Sequence, residues 1–354
     1  MSQYRPEIIK QRRPGSVRWE AMKTKNTKEA LLVLFEKNKG RFFSGEEIAE
    51  TLSVSRAAVW KAVKSLREDG YAIEAQKGKG YSLSPDTDIV SAQGMAKYLK
   101  SGLDLDLVVF DEVTSTNTLL KERAAAGAEE GTVIIANSQT GGKGRMGRSF
   151  YSPLNTGLYI SILLRPDSMP AQEALKITTM SAVAACRAIE TVLLPEDERP
   201  QIKWVNDIFY HGKKVVGILT EASMSMENGN LEYAVPGIGF NVYTPEGGFP
   251  DELKEIAGAI LPDRVPDAKN RIAAEFLNHF FAIYRSEDHG DYAAEYKKRS
   301  LVLGKNVDVI PTGGGKTRRA KVLDITEDCG LLVEFKDGTK EVLSSGEVSV
   351  RPEK

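Results

Sequence analysis

Apolar residues recur at helical spacing in three successive segments near the amino terminus, residues 27–37, 44–52 and 55–68. In the second segment, Ser44 followed three residues later by Glu47 is the pattern of a capping box. Two short strand-like runs then flank the turn Lys77-Gly78-Lys79-Gly80, which predicts a hairpin. Three helices followed by a hairpin predict a winged helix-turn-helix domain, and we assign it residues 24–83.

A longer region, residues 84–300, mixes strand and helix patterns after the polar linker 84–88. Strands are predicted at residues 107–110, 133–136, 158–164 and 214–221. Helices are predicted between them, at residues 117–126, 172–193 and 268–285. This mixture predicts an α+β sheet domain.

From residue 301 the chain shows short strand patterns alone, at 306–310, 319–325, 331–335, 341–343 and 348–350. Asp337-Gly338 lies between the third and fourth of them and is typical of a hairpin turn. Because closure removes exposed strand edges, these strands predict a small β-barrel over residues 301–354.

Composition narrows the class of protein. With 354 residues, 41% hydrophobic and 27% charged, the chain is long enough for two or three globular domains. A formal net charge of -1 excludes a uniformly basic nucleic-acid coat, and two cysteines without a Cys-x-x-Cys pair exclude a disulfide framework. The start of the chain lacks a signal-peptide pattern, and no apolar run approaches about 18 residues, so we expect a cytoplasmic protein. Residues 1–23 are rich in basic side chains and predict a flexible tail.

A glycine-rich segment, residues 142–147, fits the G-x-G-x-x-G pattern of dinucleotide-binding proteins. That pattern needs a helix directly after the glycines, whereas residues 148–153 lead into another strand, so we reject a Rossmann fold. Lys143, Arg145 and Arg148 alternate with the glycines and offer fixed cations beside flexible backbone amides. The segment is therefore either an anion-binding loop or a solvated basic hairpin.

Two neighbouring segments favour the anion-binding loop. Residues 203–208 place lysine, asparagine and aspartate beside an apolar strand, which is costly unless a ligand or metal pairs with them. Ser115, Thr116 and Asn117 offer hydroxyls and an amide where a strand gives way to a helix, although a helix cap would look the same.

These segments together resemble the bifunctional biotin protein ligases of bacteria, which are also repressors of biotin operons. The matching residues follow the family's order and spacing: 115–117, 139–148, 203–207, 212–221 and 237–241. Lys143 stands where the family often has arginine, which keeps the charge but loses bidentate geometry. Val205 stands where the family has proline, which removes a rigid turn residue.

The resemblance implies a catalytic domain related to class II aminoacyl-tRNA synthetases and an SH3-like C-terminal barrel. It implies that biotin and ATP, with Mg²⁺, form biotinyl-5′-AMP and pyrophosphate, and that biotin then passes to a lysine of a biotin carboxyl carrier protein. The implied catalytic residues are Lys203, Arg145, Asp207 and Lys214, with Asp207 also the candidate Mg²⁺ ligand. Biotin is expected to contact Ser115, Thr116, Asn117, Gln139, Gly142, Lys143, Gly144, Arg145, Phe150, Tyr159 and Lys214. ATP is expected to contact Lys143, Arg145, Arg148, Lys203 and Asn206.

The N-terminal domain is expected to bind operator DNA through cations on its third helix and its hairpin. The candidate contacts are Ser55, Arg56, Lys61, Lys64, Lys77 and Lys79. Because winged modules bind half-sites as dimers, we expect a homodimer, promoted by biotinyl-5′-AMP as co-repressor. Three alternatives stay open: a winged domain used for protein contacts, a lipoate-type ligase, and a non-catalytic regulator that senses a small acid.

Overall fold

The winged head is built from three helices and a hairpin. A computed structural model of the chain describes residues 17–18, 26–286, 290–311, 316–344 and 348–352. The head's elements are α1 (Thr27–Glu36), α2 (Gly45–Leu52), α3 (Arg56–Glu68), β2 (Ile73–Gln76) and β3 (Gly80–Leu83). Asn26, Ser44 and Ser55 each cap a helix by accepting the backbone N–H three residues on. The hairpin packs closely on the segment between α1 and α2, since a Cβ at Gly80 would lie 2.0 Å from the carbonyl oxygen of Phe43.

The central domain is an eight-stranded sheet with helices on both faces. Its strand order is β1-β4-β5-β6-β10-β9-β8-β7. The strands are β1 (Val17–Arg18), β4 (Asp106–Val113), β5 (Thr132–Gln139), β6 (Gly157–Ile162), β7 (Gln201–Lys203), β8 (Asp207–Tyr210), β9 (Lys213–Met224) and β10 (Leu231–Asn241). The helices are α4 (Ala92–Met95), α5 (Thr116–Ala125), α6 (Ala174–Glu190), α7 (Ala268–Tyr284) and α8 (Gly290–Lys298). β4 pairs with β5 in parallel, and the other described neighbours pair antiparallel.

Burial on both faces explains why β5 contains an unbroken apolar run, residues 133–136. Ile134 shares one hydrophobic cluster with Leu120 of α5, whereas Ile135 shares another with Phe276 of α7. Strands covered on both sides lose the alternation that marks a half-exposed strand. α5 therefore lies on one face of the sheet, and α6 and α7 on the other.

The C-terminal unit is a five-stranded antiparallel sheet, in the order β14-β13-β12-β11-β15. Its strands are β11 (Asn306–Pro311), β12 (Arg318–Ile325), β13 (Leu331–Phe335), β14 (Lys340–Leu343) and β15 (Val348–Pro352). All five predicted strands are confirmed, while closure of the sheet into a barrel stays a prediction. The indole Nε1 of Trp204 donates to the carbonyl oxygen of Cys329 at 2.8 Å, which joins this unit to the central domain.

The structure differs from the sequence prediction in two places. The longest strand that was not predicted is β10. Its strand pattern is interrupted by Pro236 and two nearby glycines. The predicted tail pairs with the central sheet at Val17–Arg18, opposite Asp106 and Leu107 of β4. The rest of residues 1–23 lies outside the described residues. Within the described ranges, no helix combines the length and apolar character that a membrane crossing requires.

The predicted linker, residues 84–88, is fixed to both domains. Lys39 of the head donates to the carbonyl oxygen of Thr87 at 2.7 Å. Asp88 accepts the Tyr243 hydroxyl at 2.6 Å and the backbone N–H of Lys269 at 2.9 Å. Because Lys269 lies in the first turn of α7, the Asp88 carboxylate satisfies an otherwise unpaired helix N–H. The linker thus holds the head against the central domain.

Candidate active site and DNA-binding surface

A small cavity of about 60 Å³ lies on the sheet where the N-terminus of α5 meets the glycine-rich loop. It is lined by eleven predicted residues: Ser115, Thr116, Asn117, Gln139, Lys143, Gly144, Arg145, Phe150, Tyr159, Asn206 and Lys214. Six strand residues that were not predicted complete its floor: Gly217, Ile218, Leu219, Gly237, Ile238 and Gly239. The fold therefore brings together residues that are separated by up to 124 positions in the sequence, from Ser115 to Gly239.

The polar end of the cavity is organised by Gln139. Its Oε1 accepts the backbone N–H of Thr116 at 2.9 Å and the Thr116 hydroxyl at 3.1 Å. Its Nε2 donates to Ser152 Oγ at 3.1 Å. Ser115 caps α5 by accepting the Thr118 N–H, and the positive end of this helix borders the cavity. This end of the cavity presents both donors and acceptors in fixed directions.

Asn117 joins α5 to the sheet beneath it. Its Nδ2 donates to Leu219 O at 3.1 Å and to Glu221 Oε2 at 2.9 Å, and its Oδ1 accepts the Ser161 hydroxyl at 2.6 Å. Burial raises the pKa of Glu221, but hydrogen bonds from Lys121 and Asn117 outweigh it and hold that pKa below its ordinary value. Ser161 and Glu221 were not predicted, because a single polar residue inside a strand gives no sequence signal of its partner.

Glycines let aromatic rings lie flat on the cavity floor. A Cβ at Gly239 would lie 2.5 Å from the ring of Phe150, and one at Gly217 would lie 2.8 Å from it. Phe150 in turn meets the edge of Tyr159, with 6.3 Å between ring centroids. Burial raises the pKa of Tyr159 above its ordinary value. The sequence signal for this floor is the run of isolated glycines inside strand patterns, which marks a close approach.

The glycine-rich loop folds back on itself beside the cavity. The backbone N–H of Phe150 donates to Gly142 O at 2.9 Å, and that of Gly144 donates to Arg148 O at 2.7 Å. A three-residue 3-10 turn, Arg145–Gly147, replaces the helix that a Rossmann fold would need, which confirms its rejection. Met146 has a φ of 56° and is exposed at the turn. The loop thus holds its cations at one end of the cavity.

The basic side chains at this end lie close to acceptors. Arg145 Nη1 donates to Asn206 Oδ1 at 3.3 Å, and Asn206 Nδ2 donates to Ile218 O at 2.7 Å. Burial lowers the pKa of Arg145, and the Asp207 charge opposes that shift. Lys214 Nζ lies 2.6 Å from Asp207 Oδ1, so these two side chains form an ion pair at this end of the cavity.

Four predicted site residues do not line the cavity: Gly142, Arg148, Lys203 and Asp207. Gly142 lies behind it, since a Cβ there would be 2.5 Å from Phe150 O. Lys203 of β7 lies opposite Asp207 of β8 in the backbone pairing of these strands. The Lys203 ammonium lies 5.6 Å from the ring centroid of Phe209. Lys203 and Asp207 flank the β7–β8 turn, where the Trp204–Val205 peptide bond is cis.

The predicted DNA contacts share an exposed surface of the head. Ser55, Arg56, Lys61, Lys64, Lys77 and Lys79 are all exposed. The opposite side of α3 packs Val59, Val63 and Leu66 into the head's core. The third helix therefore separates an apolar inner face from a cationic outer one. The Ser55 hydroxyl accepts the Ala58 N–H at 3.2 Å, so its first role is to cap the helix.

Known proteins share this arrangement of domains. Residues 109–241 match the Biotin/lipoate A/B protein ligase family, residues 27–82 an HTH domain, and residues 302–351 the Biotin protein ligase C terminal domain. The chain is 34% identical to the bifunctional ligase/repressor BirA of Bacillus subtilis, over 89% of this chain and 96% of that protein. The chain belongs to the bifunctional ligase/repressor family. BirA of Escherichia coli is 31% identical, over 88% of this chain and 94% of that protein.

Solved structures confirm the predicted fold of the ligase part of this family member. The biotin protein ligase of Aquifex aeolicus, in complex with biotin and ATP, is 26% identical with a TM-score of 0.55. That similarity covers 70% of this chain and 99% of the Aquifex chain. Together with the HTH match, it confirms an α+β ligase domain joined to an N-terminal helix-turn-helix domain.

Proposed function

We propose that the cavity binds biotin and the end of ATP that reacts with it. Biotin's carboxylate attacks the α-phosphorus of ATP, so that biotinyl-5′-AMP forms and pyrophosphate leaves. Both reactants are anions, and catalysis therefore needs cations that offset their repulsion. The observation that carries the proposal is the placement of Arg145 and Lys214 in one cavity with a polar end and an aromatic cover. Lys143, Arg148, Lys203 and Asn206 extend this surface toward the rest of ATP.

The polar end suits the ureido ring of biotin, which offers two N–H donors and one carbonyl oxygen. Ser115 and Thr116 supply hydroxyl oxygens, and Gln139 has a second amide N–H beside the one that Ser152 accepts. Phe150 and Tyr159 cover the apolar rings. The described hydrogen bonds of Asn117 are to other groups of the protein, so we propose that it positions α5.

In the second step a carrier lysine attacks the mixed anhydride and AMP leaves. A free lysine has a pKa near about 10.4, so it must lose a proton before it attacks. Asp207 is the candidate to orient or deprotonate it, because its carboxylate is held beside the cavity by the ion pair with Lys214.

Mg²⁺ fits this site as a partner of the phosphates. Among the described residues there is no cluster of three metal-ligating side chains. Mg²⁺ usually keeps several waters and binds phosphate oxygens with one or two carboxylates. Asp207 is the nearby carboxylate that would complete such a set, and the ion would neutralise charge on the phosphates.

The head is proposed to bind operator DNA as part of a homodimer, with biotinyl-5′-AMP as co-repressor. The cationic outer face of α3 and the hairpin lysines support DNA binding. We expect sedimentation velocity to show a shift toward the dimer when biotin and ATP are added together. An unchanged sedimentation coefficient under these conditions would refute the co-repressor role.

Pyrophosphate release tests the catalytic part of the proposal. Release that requires biotin, and proceeds far more slowly with lipoate, supports the biotin ligase. Preference for lipoate supports a lipoate-type ligase. Binding of biotin without release from ATP supports a regulator that only senses a small acid. Mass spectrometry of a biotin carboxyl carrier protein then checks for transfer to its lysine.

A further inference from the structure

Trp60 is the exposed aromatic residue on the outer side of α3. Its side chain is 57% exposed, although tryptophan is highly buried on average. The core of the head is completed without it, since Val59, Ala62, Val63 and Leu66 bury the inner side of the same helix. The Trp60 ring therefore lies on the cationic outer face of α3, outside the core, where another molecule can contact it.

The neighbours of Trp60 indicate the charge of that molecule. Arg56 and Lys64 lie one helical turn before and after Trp60, so the three side chains form a row along the exposed face. Lys64 Nζ lies 5.7 Å from the centroid of the Trp60 ring. Lys64 is also 3.9 Å from Glu68, but both side chains are largely exposed and this pair is weak. An indole between two cations fits a partner with separated negative charges and an apolar feature between them.

Duplex DNA has this arrangement in its major groove. Phosphates line both edges of the groove, and an α-helix fits between them. The C5-methyl group of thymine is the apolar feature that the base edges present there. The indole face can pack on that methyl group, while its Nε1–H can only donate. Contacts from lysine and arginine to phosphates would position the protein on DNA without distinguishing its sequence.

We propose that Trp60 reads operator sequence by packing on a thymine methyl group while Arg56 and Lys64 bind the flanking phosphates. The proposal rests on the DNA-binding part of the proposed function and adds the residue that supplies specificity. It assigns Lys64 to affinity for any duplex and Trp60 to discrimination between duplexes.

The first experiment uses the full chain with biotin and ATP and a duplex enriched by the wild-type protein from a random-sequence pool. Trp60→Ala should weaken binding to that duplex about tenfold and leave binding to an unrelated duplex and the salt slope unchanged. Lys64→Ala is the matched control, which should weaken both and reduce the salt slope by about one. Equal loss on both duplexes for Trp60→Ala would overturn the proposal.

The second experiment replaces each thymine of the enriched duplex with uracil, which removes only the methyl group. One such position in each half-site should weaken wild-type binding and have no further effect on Trp60→Ala. Additive losses at every thymine would overturn the proposal. Trp60→Phe keeps an apolar ring and should retain part of the discrimination. Unchanged pyrophosphate release and thermal midpoint show that each variant is folded. Failure of the wild type to enrich any sequence would instead refute the DNA-binding function itself.

Discussion

At the floor of the cavity, glycines allow neighbouring groups to approach the sheet closely, because they have no side chain. Gly239 and Gly217 point toward Phe150, and Gly237 points toward Asn117, whose Oδ1 would lie 2.0 Å from an added Cβ. Each close approach places a ring or an amide directly on the backbone of the sheet. The shape of the binding site is therefore set by residues that offer no functional group.

Gly239→Ala tests whether this floor sets the fit of biotin. The added methyl group, 2.5 Å from the Phe150 ring, forces the ring to shift, at a cost of about 1–3 kcal/mol. We expect the KM for biotin to rise about tenfold in the pyrophosphate assay, and the thermal midpoint to fall by a few degrees. Gly45→Ala is the matched control, since its new methyl group would have Tyr81 as its nearest neighbour, at 4.0 Å. A wild-type KM in Gly239→Ala would show that the ring does not cover biotin.

Asp207→Ala tests the acceptor of the carrier lysine's proton. Transfer from preformed biotinyl-5′-AMP should fall by about 100-fold, the scale of a lost general base. Asp207→Asn keeps the size of the side chain and should not restore transfer, because an amide cannot take up the proton. Quenched-flow measurement of carrier biotinylation gives the rate. Normal carrier biotinylation by Asp207→Ala would show that Asp207 does not accept the proton of the carrier lysine.

At the scale of elements, α5 is held to the sheet through Glu221 of β9. Its carboxylate forms an ion pair with Lys121 and accepts from Asn117. Because the folded pKa of Glu221 is below the unfolded value of about 4.3, the contribution to stability is present above that value. It is lost as the pH falls through the lower folded pKa.

Glu221→Gln should therefore remove about 1 kcal/mol from the free energy of unfolding at pH 7. The difference from the wild type should shrink as the pH is lowered below about 4.3. Urea unfolding across this range measures both values. Glu232→Gln on the neighbouring strand β10 is the control, since Glu232 is exposed and accepts only the Ser223 hydroxyl among the contacts described. A difference that does not change with pH would contradict the ion pair.

Helices and strands with a regular hydrophobic period could be predicted from the sequence. The residues and strands that they contact in the fold could not. α3 and the C-terminal strands follow periodic patterns, and their ends shift by at most two residues. β10 was missed because Pro236 and its flanking glycines lack strand propensity, and pairing with β6 and β9 overrides that preference. Ser161 and Glu221 were missed because only the sheet order brings β6 and β9 beneath Asn117.

At the scale of the whole molecule, buried charges join the head to the ligase domain. Glu36 of α1 has a fully buried side chain, and Lys97 of the ligase domain donates to its Oε2 at 3.0 Å. Lys39 of the head lies 2.8 Å from Asp267, which precedes α7. Burial raises the pKa of Asp267, but hydrogen bonds from Lys39 and Lys97 outweigh it and hold that pKa below its ordinary value. Each domain thus supplies charges that the other neutralises.

Removing one of these charges should weaken the coupling between the unfolding of the head and that of the ligase domain. Lys39→Met leaves Glu36 and Asp267 with less compensation, which costs about 3 kcal/mol when a buried pair is broken. Calorimetry should then show the head unfolding before the ligase domain, whereas we expect the wild type to unfold in one transition because the domains stabilise each other. Lys28→Met is the control within the head, since the Lys28–Asp69 pair is partly exposed and is worth less than about 1 kcal/mol. A single transition in Lys39→Met, shifted no further than in Lys28→Met, would show that the junction does not couple the two domains.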